Sequence, residues 1–381
     1  MIKYFFPHLS FLGCILFSIV TSLILTFFLC KFIISFCNKK NMVDEVREEI
    51  HFDNQENKKV PPFGGVAIIL STLISTVLFA DLKNIYVQLL LLGMVAIGGV
   101  GFYDDFLKVF KKSKQGVKPI IKLFIQGGIG TLISFNIFEN NKIAVQVPEN
   151  YKVISLQTQE ESKKVLTKIP FFKKTVVDYN TNEILKYGAL LLYAFLLSFI
   201  IAGTSNAVNL TDGVDGLALK NSLLTLVVLT FFSILYDNAI LTFFTNSLFI
   251  KGISETVIFS CALFFSCLTC LWFNAFPAKI FIGDSGSLML GGVIAILAIF
   301  LRIEWFLPIL CGLFFIETVT VILQVFYFRY TKRKFGQGKK LFLMSPLHYH
   351  LIKKGWPEVN TTTRLTIISM IFTILAVIMI L

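Results

Sequence analysis

The stretch Phe273–Gly292 reads F-N-A-F-P-A-K-I-F-I-G-D-S-G-S-L-M-L-G-G and joins two long apolar segments. It places an amide (Asn274), a lysine (Lys279) and an acid (Asp284) where a strongly apolar chain would otherwise have a minimal connector. A carboxylate at a membrane boundary is energetically costly, which favours a functional interpretation. A plainer interpretation is that Asp284 caps the N-terminus of the following helix. This stretch alone leaves both open.

The composition around this stretch is that of a membrane protein. Of 381 residues, 55% are hydrophobic, 41 are phenylalanine and only 15% are charged, against about 25% charged residues in soluble domains. Apolar runs long enough to cross a hydrocarbon core of about 30 Å recur along the chain. We therefore predict an all-α polytopic membrane protein embedded in a lipid bilayer. The net charge of +12 favours anionic lipid and a loop bias, and we expect no nucleic-acid partner.

Seven cysteines lie within or at the ends of apolar segments: Cys14, Cys30, Cys37, Cys261, Cys267, Cys270 and Cys311. Cys267 and Cys270 have C-x-x-C spacing, but they lie in a predicted span without neighbouring histidine or cysteine ligands. Small packing residues are favoured over a metal or redox site. The first apolar run is too long for a cleaved signal segment and is expected to remain as a span.

Ten membrane spans are predicted within a single domain, 1–381. They cover approximately 9–36, 64–80, 87–103, 119–138, 187–204, 221–236, 255–275, 287–303, 307–329 and 363–381. Ten spans place both termini on one side and five loops on the other: 37–63, 104–118, 205–220, 276–286 and 330–362. The short segments of the opposite side carry only four cations, which predicts that the five loops are cytoplasmic. The longer loop 139–186 is then periplasmic, and its alternating pattern suggests short strands or a β-hairpin.

The unusual polar residues all fall in or beside the five loops. Asp104 and Asp105 follow the third predicted span; Asn209, Asp212 and Asp215 follow the fifth; Asn274 and Asp284 bracket the loop after the seventh; His348 and His350 follow the ninth. A set of ordinary solvated loops does not predict such segregation to one side. Together these residues indicate one site.

Each group also has a plainer interpretation. On this interpretation, the Asp104–Asp105 pair faces only water, or it lies unfavourably at the negative end of a helix dipole, where Lys108 would be its partner. Asn209–Gly216 would be an ordinary turn rich in Asn and Asp. His348 and His350 would be exposed side chains at the membrane surface with no role in the site.

Hard oxygen ligands without a Cys/His cluster favour Mg²⁺ or Mn²⁺ over zinc. Acids that hold a divalent cation beside lysines and histidines suggest phosphoryl transfer from a diphosphate. Because the acids lie at a membrane face, we expect one substrate to be a lipid phosphate and the other a water-soluble nucleotide conjugate.

Four longer motifs resemble the prenyl-phosphate sugar-1-phosphate transferase superfamily. They are D-D-F-L-K (104–108), N-A-V-N-L-T-D-G-V-D-G-L-A (206–218), F-N-A-F-P-A-K-I-F-I-G-D-S-G-S (273–287) and S-P-L-H-Y-H-L-I-K-K-G-W-P-E (345–358). The last, with I-E-T-V-T-V-I-L-Q-V (316–325), is similar to the phospho-N-acetylmuramoyl-pentapeptide-transferase family in particular. The resemblance extends from the first span to the last.

This resemblance implies ten spans in the bacterial cytoplasmic (inner) membrane and a cytoplasmic active site. It implies transfer of phospho-N-acetylmuramoyl-pentapeptide from UDP-MurNAc-pentapeptide to undecaprenyl phosphate, with Mg²⁺ as cofactor and UMP as the released product. It also allows a homodimer. The closest alternative activity is transfer of GlcNAc-1-phosphate from UDP-GlcNAc to the same lipid.

The resemblance also implies residue roles. Asp284 binds the metal, Asp104 is the candidate base, Asp105 completes the acidic pair, and His348 and His350 close the site. The substrate-binding residues implied are Lys108, Lys112, Lys122, Asn209 (also near the metal), Asp212, Gly213, Asp215, Asn274, Phe281 and Gln324.

Two departures from the family pattern stand out. A triple histidine of the family reads His348-Tyr349-His350 here, and a Thr-Pro-Thr-Met-Gly-Gly stretch reads Val60-Pro61-Pro62-Phe63-Gly64-Gly65. The second departure removes two hydroxyls and puts the sugar contacts of that loop in doubt. A rival of another class, a transporter or channel, would spread polar residues near the bilayer midplane, and Glu317 inside the ninth predicted span is the one residue that argues for it.

Overall fold

The computed structural model describes residues 10–40, 42, 44–45, 59–111, 116–140, 143, 145–148, 152–155, 165–172, 175–179 and 183–381. Its helices are α1 (Phe11–Lys40), α2 (Gly64–Phe79), α3 (Ile85–Phe110), α4 (Pro119–Glu139), α5 (Glu183–Thr211), α6 (Leu217–Tyr236), α7 (Ala239–Thr245), α8 (Thr256–Asn274), α9 (Gly283–Phe300), α10 (Leu307–Leu310), α11 (Gly312–Phe335), α12 (Leu347–Lys353) and α13 (Glu358–Ile380). Strands are short and lie in the connections: β1 (Asp44–Glu45), β2 (Lys59–Val60), β3 (Val145–Gln146), β4 (Lys152–Ser155), β5 (Leu166–Lys168), β6 (Thr175–Asp178) and β7 (Phe249–Ile250).

Eleven of these helices account for the ten predicted spans. Nine helices of the described residues are long and apolar enough to cross a membrane, and α2, with 16 residues, is a shorter apolar helix among them. The prediction of an all-α polytopic membrane protein is therefore confirmed. The ninth predicted span is divided into the short α10, which contains Pro308, and the longer α11.

The helix ends define two faces of the bundle. On one face, here the motif face, the start of α2 meets the segment before α9, where Gly64 N–H donates to Phe281 O at 2.8 Å. On the opposite face, Asn84 Nδ2 before α3 donates to Gly252 O at 2.7 Å, and Lys168 Nζ donates to Ile380 O at the end of α13 at 2.7 Å. All four loops that carry motif residues lie on the motif face.

Helix α9 forms the centre of the bundle. From Ser285 to its end, every residue is buried, as expected for a helix that is apolar on all sides. Neighbouring backbones approach it closely at glycines: a Cβ on Gly101 would overlap the Asp284 carbonyl, and a Cβ on Gly291 would overlap the backbone of Thr204. Small residues at these crossings let membrane helices come into contact.

Several helices continue beyond the predicted apolar spans on the motif face. The third span was predicted to end at 103, yet α3 extends to Phe110 and contains Asp104 and Asp105. Likewise α5 continues to Thr211 and contains Asn209. The helices can include these polar residues because their side chains bond to neighbouring helices instead of facing lipid.

The opposite face carries two small sheets. Strand β3 pairs antiparallel with β7, and β6 lies between β4 (parallel) and β5 (antiparallel). Beside β5 lies a buried polar group: Thr167 Oγ1 donates to Glu304 Oε1 at 2.6 Å, and Arg302 donates to the Tyr193 hydroxyl at 3.1 Å. Burial raises the pKa of Glu304 to about 7, while Thr167 and Arg302 oppose that shift.

We expect Glu304→Gln to remove a pH dependence of stability. Because the folded pKa is raised, the folded protein binds more protons than the unfolded chain between the ordinary carboxyl range and about pH 7. Stability is therefore lost as the pH rises through this window, by up to about 3 kcal/mol. The variant should have a higher apparent melting temperature than the parent at pH 8 and little advantage at pH 5. Glu139→Gln, at a half-exposed site, is the control; an equal difference at both pH values would contradict the assignment.

Candidate active site

Three aspartates from two helices meet at the motif face. Asp104 and Asp105 lie near the end of α3, and Asp284 lies in the first turn of α9. One carboxylate oxygen from each lies within 4.8 Å of the others. Asp104 and Asp105 are buried, and Asp284 is partly exposed. Residues separated by 180 positions in the sequence are thus brought into one acidic cluster, as predicted.

Two lysines bridge the cluster. Lys108 Nζ lies 2.6 Å from Asp104 Oδ2 and 3.3 Å from Asp284 Oδ2. Lys122 Nζ, on α4, lies 3.1 Å from Asp104 Oδ1 and 2.6 Å from Asp284 Oδ2. Both lysines were predicted as phosphate-binding residues. Their ammonium groups also offset the unfavourable position of Asp104 near the C-terminus of α3.

Asp105 has a different environment from its neighbour. Its two oxygens accept hydrogen bonds from the backbone N–H groups of Asp284 and Ser285, each at 3.0 Å. The first N–H groups of a helix lack intrahelical partners and favour negative charge. Asp105 therefore caps α9 from the neighbouring helix. The interpretation of Asp284 as the cap is wrong: the N-cap residue is Ile282, and its own side chain makes no capping bond.

Asn209 fixes the orientation of Asp284. Its amide Nδ2 donates to Asp284 Oδ1 and to Ser287 Oγ, each at 2.9 Å. Ser287 was not predicted as a site residue. Ser287 lies three residues after Asp284, on the same side of a helix, and this spacing could have identified it as a neighbour of the acid.

The turn 212–216, between α5 and α6, lies beside the cluster. Burial raises the pKa of Asp212, and the nearby carboxylates of Asp284, Asp105 and Asp215 raise it further. At Gly213 there is no room for a side chain, because a Cβ would meet His348 Nε2 and the Tyr349 hydroxyl. Because it is buried among other carboxylates, the Asp212 carboxyl group is kept in its neutral form more readily than an exposed acid.

Helix α12 holds this turn through its unusual tyrosine. The Tyr349 hydroxyl donates to Gly213 O at 2.9 Å, and the Tyr349 and His348 rings meet edge to face at 4.1 Å. His348 is fully buried, with Nδ1 3.3 Å from Glu317 Oε2. Glu317 thus has a partner from the motif face, so it does not support the transporter interpretation.

Asp215 and Asn274 connect backbone segments of the motif face. Asp215 Oδ2 accepts from Ala278 N–H at 2.7 Å. Asn274 Oδ1 accepts from Gly216 N–H at 3.1 Å, and its Nδ2 donates to Ile280 O at 2.8 Å. Both were predicted to contact substrate. Their bonds here fix the loop that leads to Phe281, whose side chain is partly exposed.

The stretch Val60–Gly65 packs beneath Phe281. Pro61 O accepts from Phe281 N–H at 2.8 Å, and Gly65 N–H donates to Ile282 O at 2.9 Å. Val60 and Pro62, which stand where the family has its two threonines, are both buried. The residues that replace the family's hydroxyls therefore act in packing in this chain.

Gln324 and His350 bond to a neighbouring segment. Gln324 Oε1 accepts from Leu341 N–H at 3.0 Å and Phe342 N–H at 2.8 Å. His350 Nδ1 accepts from Leu343 N–H at 3.2 Å, and burial and then Lys354 lower its pKa. These hydrogen bonds join Gln324 and His350 to the segment 341–343 and not to the aspartates. Lys112, a further predicted substrate-binding residue, lies outside the described residues.

The acidic cluster fits a hard divalent cation. Its three donors are carboxylates, and no cysteine or imidazole joins them in the described part of the chain. Asp104 Oδ2 is buried and lies 2.6 Å from the Lys108 ammonium nitrogen, a cation that a bound metal ion could replace. Carboxylates together with substrate phosphates are the usual ligands of Mg²⁺, and Mn²⁺ accepts the same donors.

The chain is similar to known proteins over most of its length. The model of glycosyl transferase family 4 matches residues 87–302. The phospho-N-acetylmuramoyl-pentapeptide-transferase of Flavobacterium psychrophilum is 36% identical over 388 residues, covering 98% of this chain and 94% of the relative. Those of Flavobacterium johnsoniae (36% identical; 98% and 94% covered) and Porphyromonas gingivalis (38% identical; 92% and 85% covered) are similar along nearly the whole chain.

We expect Asp105→Asn to destabilise the fold. An amide has one acceptor oxygen in place of two, so one of the buried N–H groups at the start of α9 loses its partner, at a cost of about 1–3 kcal/mol. The apparent melting temperature in detergent should fall by several degrees. Asp81→Asn, which affects an exposed acid on the opposite face, is the matched control. An unchanged melting temperature for Asp105→Asn would contradict the capping role.

Proposed function

The chain belongs to glycosyl transferase family 4 and, within it, to the phospho-N-acetylmuramoyl-pentapeptide-transferases, and from this we propose its reaction, cofactor and orientation in detail. It is a multi-pass membrane enzyme that transfers a phosphosugar to a lipid-linked acceptor. The donor is UDP-MurNAc-pentapeptide and the acceptor is undecaprenyl phosphate; the products are UMP and the first lipid intermediate of peptidoglycan synthesis. The observation that carries this proposal is the Asp104–Asp284 pair bridged by Lys108 and Lys122 at the end of membrane helices.

The reaction joins two phosphates at this pair. A phosphate oxygen of the lipid attacks the β-phosphorus of the donor, the bond from that phosphorus to the bridging oxygen breaks, and UMP leaves with this oxygen. If the lipid phosphate carries a proton, Asp104 accepts it. Lys108 and Lys122 offset the phosphate charges, as positioned cations do in other phosphoryl transfers.

Mg²⁺ is the proposed cofactor, held by Asp284 with Asn209 as its orienting neighbour and Asp104 beside it. Held by these residues, the ion would supply positive charge to offset the negative charge that develops on the diphosphate. The ammonium groups of Lys108 and Lys122 occupy this region in the structure, and their partial exposure leaves room for them to turn towards substrate phosphates.

The turn 212–216, Phe281 and Tyr349 form the proposed uridine side of the site. Gly213 lies against His348 and Tyr349 of α12, and the partly exposed Phe281 is the proposed stacking partner of the uracil ring. Gln324, His348 and His350 support this side through the segment 324–350. UDP-GlcNAc as the donor is not favoured, because the similar proteins carry the muramoyl-pentapeptide name.

The motif face is the proposed cytoplasmic face of a bacterial inner membrane. Basic residues at the ends of α1 and α11 lie on this face, in agreement with the positive-inside rule. The long connection with β3–β6 is then periplasmic. A homodimer remains a prediction from the resemblance.

The metal role of Asp284 has a direct test. We expect purified protein in detergent to release UMP from UDP-MurNAc-pentapeptide only with undecaprenyl phosphate and Mg²⁺, and not from UDP-GlcNAc. Asp284→Asn should lower kcat by at least about 100-fold, more than is typical for residues that only support a metal ligand. Asp81→Asn is the control. Activity close to the parent for Asp284→Asn, or full activity in a chelator, would refute the metal assignment.

Tyr349 is expected to affect donor binding and not the chemical step. Tyr349→Phe removes the bond to Gly213 O while keeping the ring, and one net hydrogen bond corresponds to a roughly 2- to 12-fold change in binding. KM for the UDP donor should rise within that range, with kcat within about twofold of the parent. Tyr330→Phe makes the same chemical change at an exposed site and should alter neither constant. A fall in kcat at unchanged KM would contradict this role.

A further inference from the structure

The second half of α11 leaves the helix bundle. Up to Thr320 the helix buries residues against its neighbours, whereas from there to Phe335 only Thr331 is buried. The chain then turns at Gly336 and returns along the helix. We call residues 321–343 the basic arm.

The basic arm is held together by its own contacts. Thr331 Oγ1 accepts from Lys339 N–H at 2.8 Å, and Gln324 Oε1 accepts from the N–H groups of Leu341 and Phe342. Gly338 lies against the Phe328 ring, where a Cβ would have no room. The arm is therefore a preformed helix–coil hairpin that presents a defined outer surface.

This outer surface is strongly basic. Six exposed cations belong to it: Arg329, Lys332, Arg333, Lys334, Lys339 and Lys340. The sequence from 318 to 357 contains no Asp or Glu to balance them, and no ion pair of these six is found among the described residues. Cations in the last helical turn also interact favourably with the negative, C-terminal end of the helix dipole. Lys339 and Lys340 lie beyond the helix, so that effect does not account for them.

Large apolar side chains lie among the cations. Phe326 is 74% exposed, and Ile322 and Phe335 are each 58% exposed. Lys334 lies near the Tyr330 hydroxyl and 5.4 Å from the centre of the Phe335 ring. In water, so much exposed apolar surface would be unfavourable. Continuous with a membrane helix, it suits the boundary between acyl chains and headgroups.

We propose that the basic arm binds anionic phospholipids at the motif face, with its cations on the lipid phosphates and its exposed apolar side chains in the acyl region. Clusters of four to eight cations next to a membrane helix attract anionic headgroups. The arm is joined to the active site through Gln324, the segment 341–343 and His350. Bound lipid thus stabilises the segment that carries His348 and Tyr349. A competing use of the same charges is to attract the anionic nucleotide donor.

The test measures lipid binding directly. The full chain, purified in neutral detergent, is titrated with phosphatidylglycerol or phosphatidylcholine, and bound lipid is counted by native mass spectrometry. The variant is Lys332→Gln/Arg333→Gln/Lys334→Gln; the control, Lys31→Gln/Lys39→Gln/Lys40→Gln, removes three exposed cations from α1. Lys339→Gln/Lys340→Gln is a second variant that leaves the helix end intact.

Each cation near an anionic surface strengthens binding roughly fivefold. We expect the triple variant to bind phosphatidylglycerol at least about tenfold more weakly and the double variant about fivefold or more, with phosphatidylcholine unchanged. Binding to the parent should weaken with added salt, and inorganic phosphate alone should not displace the lipid.

Three results would overturn the proposal. One is equal loss in the α1 control, which would indicate a general effect of charge. Another is unchanged phosphatidylglycerol binding in both arm variants. The third is an increased KM for the nucleotide donor in neutral detergent with lipid binding unchanged, which would assign the charges to substrate attraction. Because bound lipid is counted without turnover, the first two results do not depend on the proposed reaction.

Discussion

The motif face depends on one constraint: each carboxylate at the boundary of the membrane needs a cationic or hydrogen-bonding partner. An isolated acid at this depth is strongly unfavourable, so Asp104 and Asp284 require partners from other helices. Lys108 and Lys122 satisfy both at once, and Asp105 is satisfied by the free N–H groups of α9. These bonds fix the relative positions of α3, α4 and α9. The arrangement that makes the acids tolerable is also the one that assembles the site.

The central helix makes these pairings geometrically possible. Helix α9 is buried almost throughout, and glycines at its crossings with α3 and α5 allow close backbone contact. At Gly283, which has φ +67, a Cβ would collide with Pro62 O and the Asp105 carboxylate. That position requires glycine for both conformation and space. The glycine of the Gly-Asp-Ser-Gly motif is thus needed because backbone and side-chain atoms of neighbouring segments lie in close contact beside the Asp284 carboxylate.

The sequence predicted the face and the acids better than the individual contacts. Asp104 and Asp284 were assigned to one site because both follow long apolar runs on the same side, and distance in sequence does not weaken that argument. Asp104 and Asp105 are adjacent and chemically identical, yet one faces lysines and the other caps a helix. Successive residues of a helix point in different directions, and only the neighbouring helices decide what each one meets. Asn274 and Gln324 show the same limit, since their amides bond to backbone segments that no periodicity identifies.

The two faces of the protein both bury charged residues, but in different ways. On the opposite face, Lys168 bonds to a backbone carbonyl, and Glu304 bonds to a threonine hydroxyl. These partners are fixed, and the side chains of Lys168, Arg302 and Glu304 are almost fully buried. On the motif face, Lys108 and Asp284 keep 35% and 17% of their side chains exposed, and each has more than one ionic partner. A charged side chain that has several ionic partners and reaches solvent can give up one partner for a substrate phosphate or a metal ion. No buried charge is then left unpaired. This difference, and not the presence of buried charge as such, distinguishes the motif face, where we propose that phosphoryl transfer takes place, from the opposite face, where the buried charges connect helices and strands.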